Sequence, residues 1–462
     1  AFKPLCARSE RGVQHVDHHV AGQRADALAP HGIAFVGHGG GTDLVFLKGL
    51  LHLLQVAEQA QIGGELAGRL GNAGEGGQHR IVHLAGIGLT RNGHHGVEAH
   101  LGGDLPLKRW LDEAILPAED RLTPELVRLF STEAIAEMIA CGTVAFSDMY
   151  FSCADTARAA LDSGIKLNIA RSVVSFDENA DPASDSRVAE ALELYREWNG
   201  EGDGRIKVDF SLHAEYTNTP RMCEYLADLA HKYDAGMQIH LSETEGEHLR
   251  CIEKYSVTPA AFFAARGVLG KKTSCAHGVW VSDDDIALLA ESGTSVVHCP
   301  RSNLKLGSGV APLEKLMNGG VNVALGTDGA ASNNRLSVFD EYSLAALLHK
   351  GISKKADSVC APSLLPLISE NGAISQQREN CGKIKEGYRA DFAVFDLDSL
   401  HSCFERDIAD LFAYTLSSAD VCMTVVDGKI LYENGEYTTI DAEKLKYDVR
   451  KAADVFYGGT NS

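Results

Sequence analysis

From residue 104 onward the chain alternates strand-like and helix-like segments, and this alternation restricts its fold more than any other feature. Apolar runs typical of buried strands occur at 142–150, 166–174, 207–216, 237–243, 273–281, 294–303 and 321–330. Several stretches between them open with Ser, Thr or Asp and close on Gly, as helices do. The number and spacing of the strands predict an α/β fold, a (β/α)8 TIM-type barrel whose first strand lies before residue 104.

The two ends of the chain differ from this central region. Residues 376–462 contain apolar runs with the DG and NG turns typical of hairpins, followed by the helix-like "DAEKLKYDVRKAADVF". Residues 1–103 hold 11 of the 19 histidines, many glycines and no Tyr, Trp or Met. We therefore predict an atypical segment of uncertain structure (1–103), a (β/α) barrel (104–375), and part of a small β domain with a closing helix (376–462).

Composition argues against several classes of partner. The 462 residues carry a formal net charge of −20, which disfavours nucleic acid and anionic membrane surfaces. No apolar run reaches the roughly 18 residues of a membrane span, and the start of the sequence lacks the order of a signal peptide. The 11 cysteines include no CxxC pair, which favours reduced thiols in a cytoplasmic protein.

Side chains capable of chemistry stand at the ends of the late predicted strands, where barrel enzymes carry their active sites. A single histidine at such a position is more often a hydrogen-bonded structural residue, but five successive strands with polar ends indicate a site. The residues are His213, His240 with Glu243, His277, His298 and Asp328.

This pattern suits hydrolysis assisted by a metal ion. Imidazole and carboxylate groups are ordinary ligands of a zinc-like ion, which lowers the pKa of a bound water. His240 is the predicted ligand, and Glu243 the carboxylate that moves the proton of the water to a leaving amine. Asp328 can bind the ion and orient the hydroxide, and His277 can stabilise the tetrahedral centre.

Three segments carry a family resemblance: "HLSETEGE", "AHGVWVSDDDIALLAESGTSVVHCPRSNLKLGSG" and "VNVALGTDGAASNN". They resemble the amidohydrolase superfamily, in particular the 5-methylthioadenosine/S-adenosylhomocysteine deaminases and their chlorohydrolase-like relatives. The resemblance covers residues 104–455, and residues 1–103 do not match. It implies a metal-dependent barrel beside a small β-sandwich built from both chain ends, and hydrolytic removal of ammonia from the 6-position of adenine.

The resemblance also implies catalytic roles for individual residues. His240 and Asp328 look like the metal ligands. The catalytic groups are Glu243, His277 and Asp328. His298 and Arg301 are similar to structural supports of the site.

A second set resembles the substrate-binding residues of the family: Glu119, His213, Glu243, Trp110 and Arg171. Glu119 is similar to a ribose-binding carboxylate, and His213 to a histidine that contacts the substrate. Trp110 is a candidate for stacking on the purine, with core packing as the alternative. Arg171 is a candidate for binding the tail of the substrate, with a surface ion pair as the alternative.

The N-terminal segment departs from the family pattern. The family carries an HxH pair of metal ligands at the end of its first barrel strand, and counting back from "DLPLKRWL" reaches Thr90 and Asn92. Neither can replace a histidine ligand, and the opening β segment of the family is not recognisable. Without these ligands an ion would be held weakly, and a barrel without its first strand would have an open edge.

Two accounts explain the departure. Either residues 1–103 have diverged and His94 or His95 supplies a ligand, or they result from frameshifted or wrong-strand translation joined to a genuine coding region. The second account fits better, because translation of the strand complementary to codons for Leu, Val and Met tends to produce Gln, His and Asp.

These observations predict a metal-dependent deaminase of adenosine-type nucleosides, namely 5-methylthioadenosine, S-adenosylhomocysteine or 5′-deoxyadenosine. One divalent ion is expected, zinc or else iron or manganese. Glu119 and His213 favour a nucleoside, since a bare base offers them no ribose. The alternatives are hydrolysis of guanine, cytosine or a triazine, and an inactive remnant. A homo-oligomer is compatible with the family.

Overall fold

The structure is a computed structural model. It describes the backbone of three strands, at 33–36, 80–83 and 87–90, and residues 105, 107–403 and 407–458. The run "LVFLKGLLHLLQVAEQAQ" (44–61) has a pattern that could form an amphipathic helix, but it lies outside the described residues, as do His94 and His95.

The described strands form two sheets, one of eight strands and one of six. In chain order they are β1 (Ile33–Val36), β2 (Arg80–His83), β3 (Ile87–Thr90), β4 (Ala145–Tyr150), β5 (Lys166–Val173), β6 (Ile206–Leu212), β7 (Met237–Leu241), β8 (Thr273–His277), β9 (Ser295–His298), β10 (Asn322–Leu325), β11 (Phe392–Asp396), β12 (Val421–Val426), β13 (Lys429–Glu433) and β14 (Glu436–Tyr437).

The eight-stranded sheet is parallel and follows the order of the chain from β3 to β10. Its first strand, β3, pairs with β4 so that Thr90 stands opposite Asp148. The predicted (β/α) barrel with a first strand before residue 104 is confirmed. Strand β4 begins at Ala145 rather than at 142. The runs predicted to reach 216, 281, 303 and 330 end as strands at Leu212, His277, His298 and Leu325, because the residues that follow belong to loops or helices.

Helices connect these strands and cover the sheet. In chain order they are α1 (Leu107–Trp110), α2 (Leu116–Glu119), α3 (Pro124–Ala140), α4 (Cys153–Ser163), α5 (Ser186–Trp198), α6 (Glu201–Gly204), α7 (Pro220–Tyr233), α8 (Glu245–Tyr255), α9 (Pro259–Ala264), α10 (Asp283–Ser292), α11 (Pro300–Lys305), α12 (Leu313–Asn318), α13 (Ala330–Asn333), α14 (Val338–Ser353), α15 (Ala361–Leu364), α16 (Glu370–Ser375), α17 (Ile408–Tyr414) and α18 (Ala442–Phe456). A π-helical turn (Leu111–Ile115) joins α1 to α2, and 3-10 turns occupy Pro182–Ser184, Glu215–Thr217, Leu365–Ile368 and Ser418–Asp420.

Local sequence explains where several helices begin and end. The side chains of Thr219 and Ser282 accept hydrogen bonds from backbone N–H groups in the first turns of α7 and α10, which satisfies donors that a helix start leaves open. Gly293 ends α10 in the left-handed conformation, which glycine adopts without steric cost. The helix starts and ends predicted from Ser, Thr and Gly are therefore observed here.

The six-stranded sheet is antiparallel and contains strands from both the N-terminal and the C-terminal part of the chain. Strand β2 pairs with β11, and β1 extends the sheet beyond β2. The expectation that no opening β segment exists was wrong, because such short runs as "IAFV" and "RIVH" carry little periodicity. The predicted C-terminal hairpins are present, with Asp427 and Asn434 at positive φ before their glycines, as hairpin turns require.

The small sheet packs closely against the barrel. Gly142, just after α3, has φ +85°, and a Cβ atom there would lie 2.9 Å from the Cβ atom of Ala393 in β11. The buried Lys166 side chain, at the start of β5, forms ion pairs with Asp391 and Asp427. Both contacts fix the sheet away from the carboxyl ends of the barrel strands.

The described part of the chain contains no helix that is both long and apolar enough to cross a membrane. No disulfide joins the ten cysteines in these ranges.

Candidate active site

Three histidines lie in a row across neighbouring barrel strands. His213 follows β6 directly, His240 belongs to β7 and His277 ends β8. The ring centroids of His213 and His240 are 4.7 Å apart, and those of His240 and His277 are 5.4 Å apart. The structure thus brings together three residues that the sequence predicted separately.

Hydrogen bonds orient the first two rings. Nδ1 of His240 donates to the backbone carbonyl of His213 at 3.0 Å, so Nε2 of the neutral ring carries the lone pair. Nδ1 of His213 is hydrogen-bonded to the Thr217 hydroxyl at 3.1 Å. This arrangement of His240 is the one that metal-binding histidines commonly show, with the second ring nitrogen bonded to a carbonyl.

His277 and Glu243 form the next part of the site. Nδ1 of His277 donates to the side-chain oxygen of Asn303 at 2.9 Å, and its Nε2 lies 3.7 Å from Oε2 of Glu243. Oε1 of Glu243 accepts a hydrogen bond from the Ser308 hydroxyl at 3.2 Å. Both His277 and Glu243 are buried, so their interaction is little screened by water.

The turn that carries Glu243 has a strained backbone. Ser242 has φ +46°, a left-handed conformation that is unfavourable for residues other than glycine. Its carbonyl accepts hydrogen bonds from the N–H groups of Val279 and Trp280, and the N–H of Glu243 donates to Oε2 of Glu247 at 2.9 Å. Such strain persists where surrounding contacts hold it, as they do at this turn.

Asp328 is held by two hydroxyl groups. Its Oδ2 accepts hydrogen bonds from Ser302 at 2.7 Å and from Ser332 at 2.9 Å, and its backbone has φ +58°. The Asn333 side chain donates to the carbonyl of Thr327 at 2.6 Å. These contacts fix the carboxylate at the end of β10.

A second layer of contacts supports this loop. Glu341 accepts hydrogen bonds from the backbone N–H of Arg301 at 3.0 Å and from the Asn333 amide at 2.9 Å. Burial raises the pKa of Glu341 to about 7. His298 lies with its Nε2 3.1 Å from Nε2 of His349, and burial lowers its pKa well below the ordinary value. His298 and Arg301 therefore make the kind of contact expected of structural supports.

The predicted substrate-binding residues outside this cluster have contacts of their own. Glu119, at the end of α2, accepts a hydrogen bond from the Tyr150 hydroxyl at the end of β4. Trp110 is buried in a cluster with Ile115 and Leu306. Arg171 forms an ion pair with Glu190 at 2.6 Å. None of these contacts joins the three residues directly to the histidine row.

The predicted ligands His240 and Asp328 carry an imidazole and a carboxylate, groups that suit a divalent ion. The described residues include no cluster of three or more His, Cys, Asp or Glu side chains that could hold an ion. Thr90 ends β3, where the resemblance expects the first histidine. The described residues therefore do not complete a metal site.

The sequence did not predict the residues that orient the candidate catalytic groups. These are Thr217, Glu247, Ser302, Asn303, Ser308 and Ser332. Ser302, Asn303, Ser308 and Ser332 lie inside the quoted segments "PRSNLKLGSG" and "GTDGAASNN". The polar residues within those segments were the available signal, although their partners lie in other parts of the chain.

Comparison with known proteins identifies the family. The model of the amidohydrolase family matches residues 88–431. The 5-methylthioadenosine/S-adenosylhomocysteine deaminase of Caldicellulosiruptor saccharolyticus is 39% identical over 347 residues, which are 75% of this chain and 79% of the relative. The protein of the same name from Dictyoglomus thermophilum is 40% identical over 354 residues, 76% of this chain and 81% of the relative.

Solved structures show the same fold. An adenosine deaminase from Xanthomonas campestris with bound zinc aligns with a TM-score of 0.76 at 30% identity, covering 81% of this chain and 85% of that one. Zinc-complexed atrazine chlorohydrolase from Arthrobacter aurescens aligns with a TM-score of 0.75 at 22% identity, covering 81% and 88%, and supports the fold alone.

The matched span begins at residue 88, within β3 and upstream of the start at residue 104 that the resemblance predicted. The predicted likeness to the deaminase branch is confirmed by the curated relatives. The chain belongs to the amidohydrolase family.

Proposed function

We propose that this chain is a hydrolytic deaminase of adenosine-type nucleosides, with 5-methylthioadenosine, S-adenosylhomocysteine and 5′-deoxyadenosine as candidate substrates. The observation that carries the proposal is the position of the Glu243 carboxyl group. It lies between the Ser308 hydroxyl and Nε2 of His277, in the turn after the strand that carries His240. The names of relatives at 39% and 40% identity support the same reaction.

A divalent ion is the proposed cofactor, zinc by analogy with the zinc-bound adenosine deaminase from Xanthomonas campestris and otherwise iron or manganese. His240 would bind it through Nε2 and Asp328 through its carboxylate. Such an ion supplies an activated water for attack on the purine. The remaining ligands would come from residues outside those that the structure describes, among them His94 or His95.

Glu243 is the proposed proton carrier. Its carboxylate would take a proton from the attacking water and deliver it to the leaving amine. The hydrogen bond from Ser308 to Oε1 leaves Oε2 oriented towards His277. A group that shuttles protons must be held in place by other residues, and Ser308 and Glu247 supply that support.

His277 and His213 are the proposed partners of water and substrate. Because Nδ1 of His277 is bound to Asn303, its Nε2 faces Glu243 and can hold the attacking water beside that carboxylate. His213 is fixed by Thr217 next to His240, from where its ring would contact the substrate. Asp328 would orient the water from the opposite side.

The remaining assignments concern the ribose, the purine and the tail of the nucleoside. Glu119, anchored by Tyr150 at the same end of the barrel, would bind the ribose hydroxyls. Trp110 would stack on the purine and Arg171 would meet the tail. For these two residues the proposal competes with the core packing and the ion pair that their contacts show.

One assay with the full-length chain tests the function. Elemental analysis measures bound zinc, iron and manganese, and ammonia release is measured with the three nucleosides, guanine, cytosine and a triazine. The proposal expects release from the nucleosides and its loss in Glu243→Gln. Turnover of guanine or a triazine without turnover of nucleosides would replace it with the alternative amino-heterocycle hydrolase.

A second candidate is an inactive remnant. It is favoured by one observation, that no group of three or more His, Cys, Asp or Glu side chains among the described residues could hold a metal ion. In the same assay it expects almost no bound metal and no ammonia from any substrate. A full complement of metal in the purified chain would eliminate it.

We also propose a cytoplasmic location. The support is that no disulfide joins the described cysteines, several of which are buried, as is common for proteins of reducing compartments.

A further inference from the structure

Trp280 lies in the short turn between β8 and α10 and is bonded to two other segments of the site. Its backbone N–H donates to the carbonyl of Ser242 at 3.0 Å. Its indole N–H donates to the carbonyl of Ser308 at 2.8 Å. A single residue therefore joins the turn after β7 to the segment after α11.

Both contacts lead to Glu243. Ser242 precedes Glu243 directly in the chain, and the hydroxyl of Ser308 donates to Oε1 of Glu243 at 3.2 Å. Glu243 is 3% exposed and Ser308 is 4% exposed, so water has little access to the bond between them. The orientation of the Glu243 carboxyl group therefore depends on where Ser308 is held.

The main chain of Ser308 is held from two directions. Its N–H donates to the carbonyl of Asn303 at 2.8 Å, and its carbonyl accepts the indole N–H of Trp280. The side chain of Asn303 binds Nδ1 of His277, so the same segment also orients the second proposed catalytic group. Loss of the indole bond would release the end of this segment that carries the hydroxyl.

The exposure of Trp280 indicates that its role is not to fill the core. Its side chain is 37% exposed, whereas Trp110 is 3% exposed and Trp198 is 8% exposed. The chain also approaches the indole closely at Gly309, where a Cβ atom would lie 3.6 Å from Nε1 of Trp280 and 3.0 Å from Cγ1 of Val279. A half-buried tryptophan whose N–H meets a carbonyl uses its polar end.

We propose that Trp280 is a positioning residue for proton transfer. Its indole N–H fixes the main chain of Ser308, and the Ser308 hydroxyl fixes the carboxyl group of Glu243. The inference rests on the proposed function, because Glu243 is the group assigned there to move the proton. Trp280 touches neither the substrate nor the water in this role, so its loss should lower kcat with little change in KM.

Trp280→Phe tests the role of the indole N–H. This variant removes that donor but retains an aromatic ring and the backbone N–H that binds Ser242. Where ammonia is released, kcat should fall about tenfold, the effect of losing one hydrogen bond, and KM should change less than about twofold. An increase in KM without a fall in kcat would assign Trp280 to substrate binding and overturn the positioning role.

Trp198→Phe is the matched control. It makes the same replacement in α5, where the indole ring lies against the guanidinium of Arg158 at 4.8 Å. Its kcat and KM should equal those of the parent. A fall in kcat equal to that of Trp280→Phe would show that any loss of an indole slows the reaction, and it would overturn the specific role of Trp280.

A double-mutant cycle tests the route through Ser308. Ser308→Ala removes the hydroxyl from Glu243 but keeps the carbonyl that accepts the indole N–H, and it should also lower kcat about tenfold. Because the indole acts through this hydroxyl, adding Trp280→Phe to Ser308→Ala should lower kcat by less than a further factor of about two. Losses that multiply to about 100-fold would show that the indole acts by another route and would overturn the proposal.

Hydrogen exchange of the full-length chain tests the contact without requiring turnover. Mass spectrometry follows a peptide that covers residues 303–310, which contains the Ser308 N–H bonded to Asn303. Its protection should fall roughly tenfold in Trp280→Phe and stay unchanged in Trp198→Phe. A peptide that covers β12 should exchange equally in all proteins, which shows that the variants are folded. Equal protection of residues 303–310 in the parent and in Trp280→Phe overturns the proposal.

The two readouts separate this inference from the proposed function. Absence of ammonia release in the parent and in every variant refutes the proposed function, and the exchange result then decides by itself whether Trp280 holds Ser308. Ammonia release that Trp280→Phe leaves unchanged overturns the positioning role and leaves the proposed function intact.

Discussion

The first and last strands of the barrel are built alike in backbone and differ in chemistry. Strand β10 leads to Asp328, whose carboxylate receives two serine hydroxyls. Strand β3 takes its place beside β4 through parallel pairing, yet it ends at Thr90 and offers no ligand there. A parallel strand needs only a short apolar run, whereas a metal site needs particular side chains at particular positions. The family fold is therefore present at β3, although the last residue of that strand is a threonine.

Restoring the histidines at the end of β3 should have the largest effect. If the parent holds no ion, as the inactive-remnant candidate expects, bound zinc in Thr90→His/Asn92→His should rise to about one ion per chain, because two donors join His240 and Asp328 in a four-ligand site. Ammonia release from 5-methylthioadenosine should rise on the order of 10³-fold or more, since an ion activates the water. Elemental analysis and the ammonia assay measure both changes.

Thr90→Ser/Asn92→Gln is the matched control, and it should leave metal content unchanged. A parent chain that already holds one ion would contradict the inactive-remnant candidate and would favour His94 or His95 as ligands, as the proposed function expects. The nucleotide sequence gives a separate check. An HTH-containing frame upstream of codon 104 supports mistranslation of residues 1–103, and absence of such a frame counts against it.

Damaging the end of β10 should have the next largest effect. Asp328→Asn is introduced into the parent or into Thr90→His/Asn92→His, whichever releases ammonia. It should lower kcat on the order of 10³-fold, because it removes both a proposed ligand and the group that orients the water. Ser332→Ala removes one of the two hydroxyls on Oδ2 and should cost about tenfold, as changes beside a metal ligand do. Equal rates for Asp328→Asn and the parent would remove Asp328 from the mechanism.

The same contrast explains what the sequence could predict. The late strands were recognisable because their apolar runs end in His or Asp. The DG and NG turns predicted the C-terminal hairpins. Strands β1 and β2 were missed, since four-residue runs between glycine-rich stretches carry no clear period.

The candidate site was predictable only in part. His240, Glu243 and His277 follow from their places at strand ends. Their partners do not, because Ser308 reaches Glu243 across 65 residues and Asn303 reaches His277 across 26. Such pairs are created by tertiary packing, and no local pattern specifies which hydroxyl or amide will face which catalytic group.

The buried support of the β10 loop should also affect stability. Burial raises the pKa of Glu341 from 4.5 to about 7, so the folded chain retains a proton that the unfolded chain releases. The free energy of unfolding should therefore fall as the pH rises through that interval, by up to about 3 kcal/mol at 1.4 kcal/mol per unit. In Glu341→Gln this part of the slope should be missing, as denaturant titrations at several pH values would show.

Glu253→Gln is the matched control for that slope, because it also removes a carboxyl group but from an exposed position on α8. Its pH dependence should parallel that of the parent. If the free energy of unfolding of Glu341→Gln shows the same pH dependence as that of the parent, then Glu341 is ionised throughout. Its burial would then not make the stability of the chain depend on pH.

Arg171 should show the smallest effect, and it lies at the end of β5 between the two contrasted strands. Its guanidinium pairs with Glu190, whose side chain is 51% exposed, and such pairs contribute about 0–1 kcal/mol. Arg171→Ala should therefore change KM for every nucleoside by less than about threefold, and Glu190→Gln should do the same. The assignment to the substrate tail expects a different result: a KM increase of about tenfold or more for S-adenosylhomocysteine, whose tail carries a carboxylate, and little change for 5-methylthioadenosine, whose tail is uncharged. Glu190→Gln breaks the ion pair but leaves the guanidinium in place. An increase in KM for S-adenosylhomocysteine that occurs in Arg171→Ala alone would therefore assign Arg171 to the binding of the substrate tail.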